Sequence, residues 1–414
     1  MHHKASLPSA PLSTFALLAG CGAFLYAICA GFRDNYGIML PYIVTGSGIS
    51  YATVSFVIAL GQLLFGAMQP AFGFLALRQG VRRTLFLGAG MMLIGLWLVP
   101  LSTNVPLLVL SLGILLPTGT AAASYGMIVG LISPQLSVRQ AAVASGFVAA
   151  GIGIGICLLS PAIQAAIAAQ GLTRAVALLT VPLLLLFPVC WLLTRNSQCT
   201  PTRATSDTPD YHHDPAVGTT PRLGEMLREA FAHTTYRRLT LGFFTCGFHM
   251  ALIQTHLFSQ LTAFGVTEQA AAWALSTYGI GVIAGGVGSG QACTRYVMSQ
   301  VVAWLYASRC LWVLLLLLPL PLPALFAVIF MLGATGPATL APTGGLVQRL
   351  FGPARLATLL GVVYLVHQVG AFCSAFAGGV CRHYSGSYTA VWYVDIAFCL
   401  AAAIACWGIR EETV

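Results

Sequence analysis

Charged side chains are scarce in this sequence. Only 7% of its 414 residues are charged, and 10 residues are acidic, whereas about a quarter of an ordinary soluble domain is charged. Long polar runs are also scarce, and 58% of the residues are hydrophobic. A water-soluble surface cannot be built from this composition, which excludes a soluble globular protein.

The sequence also lacks the motifs of enzymes, metal sites and nucleic-acid binders. It contains no Walker-type phosphate loop, HExxH or GxSxG, and its 12 cysteines show no metal-binding spacing. The formal net charge is +9, but the arginines stand singly between apolar runs and form no basic patch. We therefore predict no enzymatic activity, no cofactor, no metal and no nucleic-acid partner.

Continuous apolar runs fill most of the chain instead. A membrane-crossing helix needs about 20 mostly apolar residues, and the runs do not alternate with period two as a β-barrel requires. Twelve spans are predicted, at residues 13–43, 51–77, 84–101, 105–132, 140–169, 175–194, 237–263, 269–292, 297–319, 322–347, 355–381 and 388–408. The sequence thus indicates an all-α membrane protein with twelve transmembrane helices.

One polar stretch, residues 195–236, interrupts the hydropathy near the middle of the chain. We predict three parts: a six-helix unit at 1–194, a cytoplasmic linker at 195–236 and a second six-helix unit at 237–414. Apolar residues recur at helical spacing inside the linker, as in an interfacial amphipathic helix. They are Leu223, Met226, Leu227, Ala230 and Phe231.

Basic residues predict the topology. Most of the 19, among them Lys4 and Arg203, fall on one side of the alternating spans, and only Arg174 and Arg382 fall on the other. Positive residues near helix ends stay in the cytoplasm. We therefore expect both termini and the linker to be cytoplasmic, with residues 1–11 as a retained tail.

Two loops carry a motif. Residues 73–83 (GFLALRQGVRR) resemble the signature G-x-L-A-D-R-x-G-R-R-R of the major facilitator superfamily, with Leu77 in place of the acidic residue, and residues 290–295 (GQACTR) form a degenerate copy. Glycines allow helix ends to approach, and arginines interact with helix dipoles and with ion-pair partners. The predicted cytoplasmic gate residues are Gly73, Arg78, Gly80, Arg82, Arg83 and Arg295.

Five further segments resemble a bacterial branch of this superfamily that is related to monocarboxylate and oxalate:formate porters. They are residues 33–41 (RDNYGIMLP), 66–73 (GAMQPAFG), 242–257 (GFFTCGFHMALIQTHL), 367–372 (HQVGAF) and 386–392 (GSYTAVW). The resemblance implies two six-helix bundles, a central cavity lined by spans one, four, seven and ten, alternating access, a monomer, and a bacterial inner membrane. It departs from animal-type porters because residues 271–293 carry no charge.

Ionisable residues inside spans are candidates for function, because a charge at the bilayer centre costs at least about 2.5 kcal/mol. Arg33 and His256 lie about one helix length into spans one and seven and are the leading anion-binding candidates. Further substrate-binding candidates are Tyr125, His249, Arg309, His367 and Gln368. Each has a structural alternative: Arg33 could reach the outer interface beside Asp34, Tyr125 could be an interfacial anchor, and the others could form hydrogen bonds between helices.

Proton coupling needs a group that changes protonation during transport. Asp34 could take a proton when an anion moves onto Arg33, or a histidine could serve near neutral pH. The predicted function is uptake or exchange of a small organic anion, such as a monocarboxylate, across the lipid bilayer. A gradient of protons or of substrate would drive this transport. The alternative is proton-driven efflux of a hydrophobic drug or metabolite.

Overall fold

The computed structural model describes residues 10–195, 223–409 and 411, and these residues form helices joined by short connections. Most of the predicted N-terminal tail and linker, including Lys4 and Arg203, lies outside the described residues. The first part contains α1 (Leu12–Asp34), α2 (Tyr36–Ser47), α3 (Tyr51–Gln79), α4 (Val81–Leu98), α5 (Val105–Leu108), α6 (Leu116–Ala122), α7 (Tyr125–Ile132) and α8 (Val138–Thr194).

The second part begins with a short amphipathic helix at the predicted position in the linker. It contains α9 (Leu223–Ala232), α10 (Thr234–Ala263), α11 (Glu268–Ala292), α12 (Met298–Leu316), α13 (Leu322–Thr335), α14 (Leu340–Phe351), α15 (Pro353–Ser385) and α16 (Thr389–Trp407). Ala230 of α9 is buried, and Phe231 packs edge-on against Tyr236 of α10. The apolar face of α9 therefore docks onto the second part.

Ten stretches of the described chain are long and apolar enough to cross a membrane. One of them, Arg139–Thr194, has 56 residues, about twice the length of a single crossing. Gly171 divides it, because its φ of 73° lies in the left-handed region that glycine adopts freely. Counting this stretch twice and adding the more polar α10, which has 30 residues, accounts for the twelve predicted spans.

Three spans that were predicted as single helices are broken. Span one stops at Asn35, span four at Ala123 and Ser124, and span ten at Gly336, where backbone angles leave the helical range. At Asn35 the side-chain amide donates to the Gly31 carbonyl (2.7 Å), and its oxygen accepts from Ser160 (2.6 Å). Such bonds compete with the helical pattern, which hydropathy does not report.

The two parts of the chain meet along three pairs of helices, mainly α3 with α15 and α8 with α11, and also α2 with α10. A Cβ atom on Gly279 of α11 would lie 2.6 Å from the carbonyl oxygen of Gly153 in α8. Only glycine permits this backbone contact, as is common where membrane helices cross closely.

Candidate substrate site

Arg33 and Asp34 form an ion pair where α1 breaks. The Arg33 Nε donates to Asp34 Oδ1 at 2.8 Å, and the two side chains are 10% and 0% exposed. The Arg33 guanidinium carbon also lies 4.0 Å from the ring centre of Phe65 in α3. The second carboxylate oxygen of Asp34 has no hydrogen-bond partner. The pair is thus buried but only half satisfied.

Arg309 of α12 is fully buried at the break of span ten. Its Nε and Nη2 donate to the Thr335 carbonyl at 3.0 and 2.6 Å, and Nη2 also contacts the Gly336 carbonyl. These carbonyls end α13, so the guanidinium lies at the negative end of that helix dipole. Nη1 has no partner. A buried acceptor, one of the two alternatives open from the sequence, is therefore present, and a free donor remains.

His367 and Gln368 lie on α15 beside these charged groups. His367 is half-buried, its Nδ1 has no partner, and it lies within electrostatic range of Arg33, Asp34 and Arg309. Gln368 packs against Gly66 of α3, with its Oε1 unpartnered. His367 and Gln368 therefore lie between Arg33 in the first part of the chain and Arg309 in the second part.

Tyrosines surround the same region. Tyr125, the first residue of α7, has its ring centre 6.0 Å from that of Tyr26 in α1. The Tyr278 hydroxyl lies beside Gly336, whose carbonyl binds Arg309. Tyr364 lies beside His367, with 6.2 Å between the two ring centres. Tyr26, Tyr278 and Tyr364 were not among the candidates predicted from the sequence. Helical spacing would have found two of them, because Tyr26 precedes Arg33 by seven positions and Tyr364 precedes His367 by three.

These groups form what we term the central polar cluster, defined by buried polar atoms without a hydrogen-bond partner. The atoms are Asp34 Oδ2, Tyr36 Oη, Tyr278 Oη, Arg309 Nη1, His367 Nδ1 and Gln368 Oε1. Each such atom costs roughly 1–3 kcal/mol when it is left unsatisfied. A concentration of them at broken helices, contributed by both parts of the chain, is typical of a place where a ligand completes the bonding.

His249 and His256 lie outside this cluster. His249 of α10 pairs with Asp395 of α16, with Nδ1 and Oδ2 2.7 Å apart. His256 contacts the Tyr51 hydroxyl at 3.2 Å and the Ala375 carbonyl at 2.8 Å. The structure therefore brings Arg33 together with His367, and it gives each of the other two histidines a separate environment.

The side-chain hydrogen bonds that join the two parts lie in the middle or at the distal end, which we define as the end opposite Leu12 and Trp407. Glu268 Oε2 accepts from the Tyr42 hydroxyl at 2.7 Å and from Gln164 Nε2 at 2.9 Å. Tyr388 and Tyr51 add a bond of 2.7 Å. These bonds hold the two described parts together, so the distal end is closed in the described structure.

We expect Glu268→Gln to weaken this closure. The substitution removes the charge that strengthens the hydrogen bonds of Glu268 with Tyr42 and Gln164. Together these bonds contribute on the order of 1.5 kcal/mol or more to closure. Because about 1.4 kcal/mol corresponds to a factor of ten, the distal end should open about tenfold more often. The measurement is the labelling rate of Cys157, which lies on α8 and contacts Ser276 of α11, by a membrane-impermeant thiol reagent. Glu229→Gln, at an exposed pair with Arg355 at the opposite end, should leave the rate unchanged.

The gate motif is at the opposite end. Arg78, Arg82, Arg83 and Arg295 are exposed, and none of them takes part in a salt bridge with another described residue. Arg78 stacks instead on Phe74, with 4.3 Å from its guanidinium carbon to the ring centre. Within residues 10–195, 223–409 and 411 these arginines thus have no ion-pair partner, and Leu77 is 76% exposed.

Comparison with known proteins decides the family. Residues 22–263, more than half of the chain, match the model of the Major Facilitator Superfamily. The chain belongs to the major facilitator superfamily. The predicted family and the all-α fold class are thus confirmed.

Two relatives and one solved structure align with nearly the whole length of this transporter. It is 24% identical to monocarboxylate transporter 13 of Bos taurus over 92% of this chain and 85% of the relative. The protein of the same name from Rattus norvegicus is 25% identical with the same coverage. The crystal structure of a D-xylose-proton symporter superposes with a TM-score of 0.70 over 97% of this chain and 99% of the symporter, at 14% identity.

Proposed function

We propose that this transporter moves a small organic anion, such as a monocarboxylate, across a bacterial inner membrane by alternating access, with proton coupling or by exchange. The central polar cluster is the observation that carries the proposal. It offers free donors on Arg309, Tyr278, Tyr36 and His367 in a buried place. Donors in such surroundings match the oxygens of a carboxylate.

The charges of the cluster also favour an anion. Asp34 is the direct partner of Arg33, whereas Arg309 is bound by carbonyl and sulfur acceptors and, among the described residues, by no carboxylate within hydrogen-bond distance. Asp395 bonds to His249 instead, so the Arg309 guanidinium has no directly bonded counter-ion, although a buried charge is costly without one. An anion would bind this guanidinium directly, and the relatives named monocarboxylate transporters support this substrate class.

The arrangement in the membrane follows the basic residues. We propose a monomer with six-helix bundles at residues 1–194 and 237–414, a linker at 195–236, and both termini in the cytoplasm. The exposed Arg78, Arg82, Arg83 and Arg295 lie at the end that holds the termini, as the positive-inside rule requires. The closed distal end is then the periplasmic one.

The test is uptake of labelled lactate, pyruvate, formate and oxalate into proteoliposomes, with and without an inward proton gradient. Uptake or exchange of at least one acid that exceeds protein-free vesicles is expected. Export of a fluorescent hydrophobic dye, with no movement of any acid, would instead identify the alternative function of proton-driven efflux.

His256 contacts Tyr51 at the closed distal end. In our proposal it therefore serves as a gate residue of the transport cycle.

Asp34→Asn tests the predicted proton-coupling residue. The amide keeps the shape of the carboxyl group but cannot bind a proton, so proton-driven accumulation of lactate should fall at least about tenfold. Exchange of lactate for lactate at equal pH, which needs no net proton movement, should persist. Unchanged proton-driven uptake in this variant would remove Asp34 from the coupling mechanism.

A further inference from the structure

We infer that His249 and Asp395 form a second protonatable site, inside the C-terminal bundle, which gains a proton when the central polar cluster binds an anion. The inference rests on the proposed function and deepens it. Only Asp34 has been assigned a coupling role so far, and the pair of His249 and Asp395 shares no hydrogen bond with it.

The geometry is that of a carboxylate-histidine pair. Both side chains are 0% exposed, and Nδ1 of His249 lies 2.7 Å from Oδ2 of Asp395. A carboxylate in this position holds a proton on Nδ1, so that Nε2 is left as the basic nitrogen. Nε2 is buried and has no hydrogen-bond partner. The imidazole can therefore accept one further proton, on Nε2.

Among the described residues near the pair, Arg309 on α12 carries the one permanent positive charge. The other titratable groups nearby are Cys246 on α10, Cys310 on α12 and Cys399 on α16, and the main chain of His367 on α15 packs against α10. Asp395 and Arg309 both lie within electrostatic range of Cys310 and Cys399. Among the described residues of the second part, Asp395 is the one carboxylate that lies inside a span, because Glu225 and Glu229 lie on α9, Glu268 begins α11 and Glu411 follows α16.

Charge balance then couples the pair to the substrate. With His249 neutral, Asp395 balances Arg309, and the interior of the C-terminal bundle carries no net charge. An arriving monovalent anion makes it negative by one charge, and unit charges interact more strongly in this low-dielectric interior than in water. A proton taken from water onto Nε2 gives an imidazolium bonded to Asp395 and restores neutrality. The same proton returns to water after the anion has left.

One turn of α10 connects the pair with the cluster. Cys246, three residues before His249, accepts a hydrogen bond from Arg309 Nη2 at 3.8 Å. Gly247 packs directly against the main chain of His367. An anion that binds Arg309 or His367 therefore lies within one helical turn of the imidazole.

A metal ion fits this place less well than a proton. Ligand atoms of His249, Asp395 and Cys399 lie within 4.8 Å of one another. However, the separation of 2.7 Å between Nδ1 and Oδ2 is a hydrogen-bond distance. Two ligands bound to one tetrahedral ion at about 2.0–2.2 Å would lie farther apart, at more than about 3 Å.

The experiment measures how many protons move with each lactate in proteoliposomes. Opposing gradients of lactate and pH are adjusted until net flux of labelled lactate is zero, which gives the ratio. In His249→Gln and in Asp395→Asn the ratio is expected to be lower by one than in wild type, while lactate exchange at equal pH stays within about threefold. The control is Thr245→Val, which alters the same contact between α10 and α16 without a titratable group and should keep the wild-type ratio.

An unchanged ratio in both variants would overturn the role of the pair and leave the proposed function standing. Loss of exchange together with uptake, or failure of both variants to yield monodisperse protein while Thr245→Val behaves normally, would identify a structural pair and also overturn it. Absence of lactate flux in wild type, with dye export instead, would overturn the proposed function and the coupling role with it.

Discussion

Arg33→Ala is expected to reduce lactate uptake by at least about thirtyfold. The change removes a buried cation that is the direct partner of Asp34 and that lies at the break of span one. Truncating one member of a buried charge pair costs roughly 2–5 kcal/mol, and every 1.4 kcal/mol corresponds to a factor of about ten. The measurement is initial uptake in proteoliposomes over a range of lactate concentrations.

Part of that loss could come from Asp34, which the substitution leaves buried and unpaired. Arg33→Ala combined with Asp34→Asn removes both charges and serves as the matched control. The readout is exchange of lactate for lactate at equal pH, which Asp34→Asn alone should preserve. If Arg33 binds the anion, the double variant remains as defective in this exchange as the single one. Recovery of exchange in the double variant would show that Arg33 only neutralises Asp34. Arg349→Ala, at an exposed pair with Glu411, should transport normally.

Arg309→Met is expected to destabilise the protein more than any exposed substitution. Methionine fills a similar volume, but the Thr335 carbonyl at the end of α13 loses the donors of Arg309, and the Gly336 carbonyl keeps only the weaker contacts from Thr339 and Cys246. A buried unsatisfied carbonyl costs roughly 1–3 kcal/mol, so the loss should be on the order of 1–3 kcal/mol. The break at Gly336 should also become less defined.

The measurement is the thermal unfolding midpoint of the purified protein in detergent, and lactate uptake provides the functional readout. Arg309→Lys keeps the charge with fewer donors and should give an intermediate midpoint. Arg295→Met, on an exposed loop next to α12, is the matched control and should leave it unchanged. A normal midpoint for Arg309→Met would mean that water or lipid can replace the guanidinium at α13.

Several features of the fold could be predicted because they depend on local sequence. The polar group of every peptide must be satisfied within a membrane, so runs of about 20 apolar residues must be helices, and their positions agree with the helices observed. The turn between spans five and six was predicted at residues 170–174, and Gly171 forms it. The amphipathic α9 was predicted from the spacing of its apolar residues.

The site was only partly predictable. The cost of intramembrane charge selected Arg33, Asp34, Arg309 and His367, which the structure brings into one region. It equally selected His249 and His256, which lie elsewhere, because cost per residue carries no information on the direction of a side chain. Tyr26, Tyr278 and Tyr364 were missed because tyrosine is common in membrane helices and its spacing has meaning only beside a known neighbour.

The sequence by itself determined that the chain is a helical membrane protein and that few ionisable groups lie within its spans. Composition, hydropathy and motifs are local properties of the chain, so they can be interpreted without knowledge of tertiary contacts. Only the tertiary structure decided which of these groups meet. The pairing of His249 with Asp395 spans 146 positions, and the bond of Arg309 to the end of α13 depends on a helix break. Both are consequences of packing between helices, which no local pattern encodes.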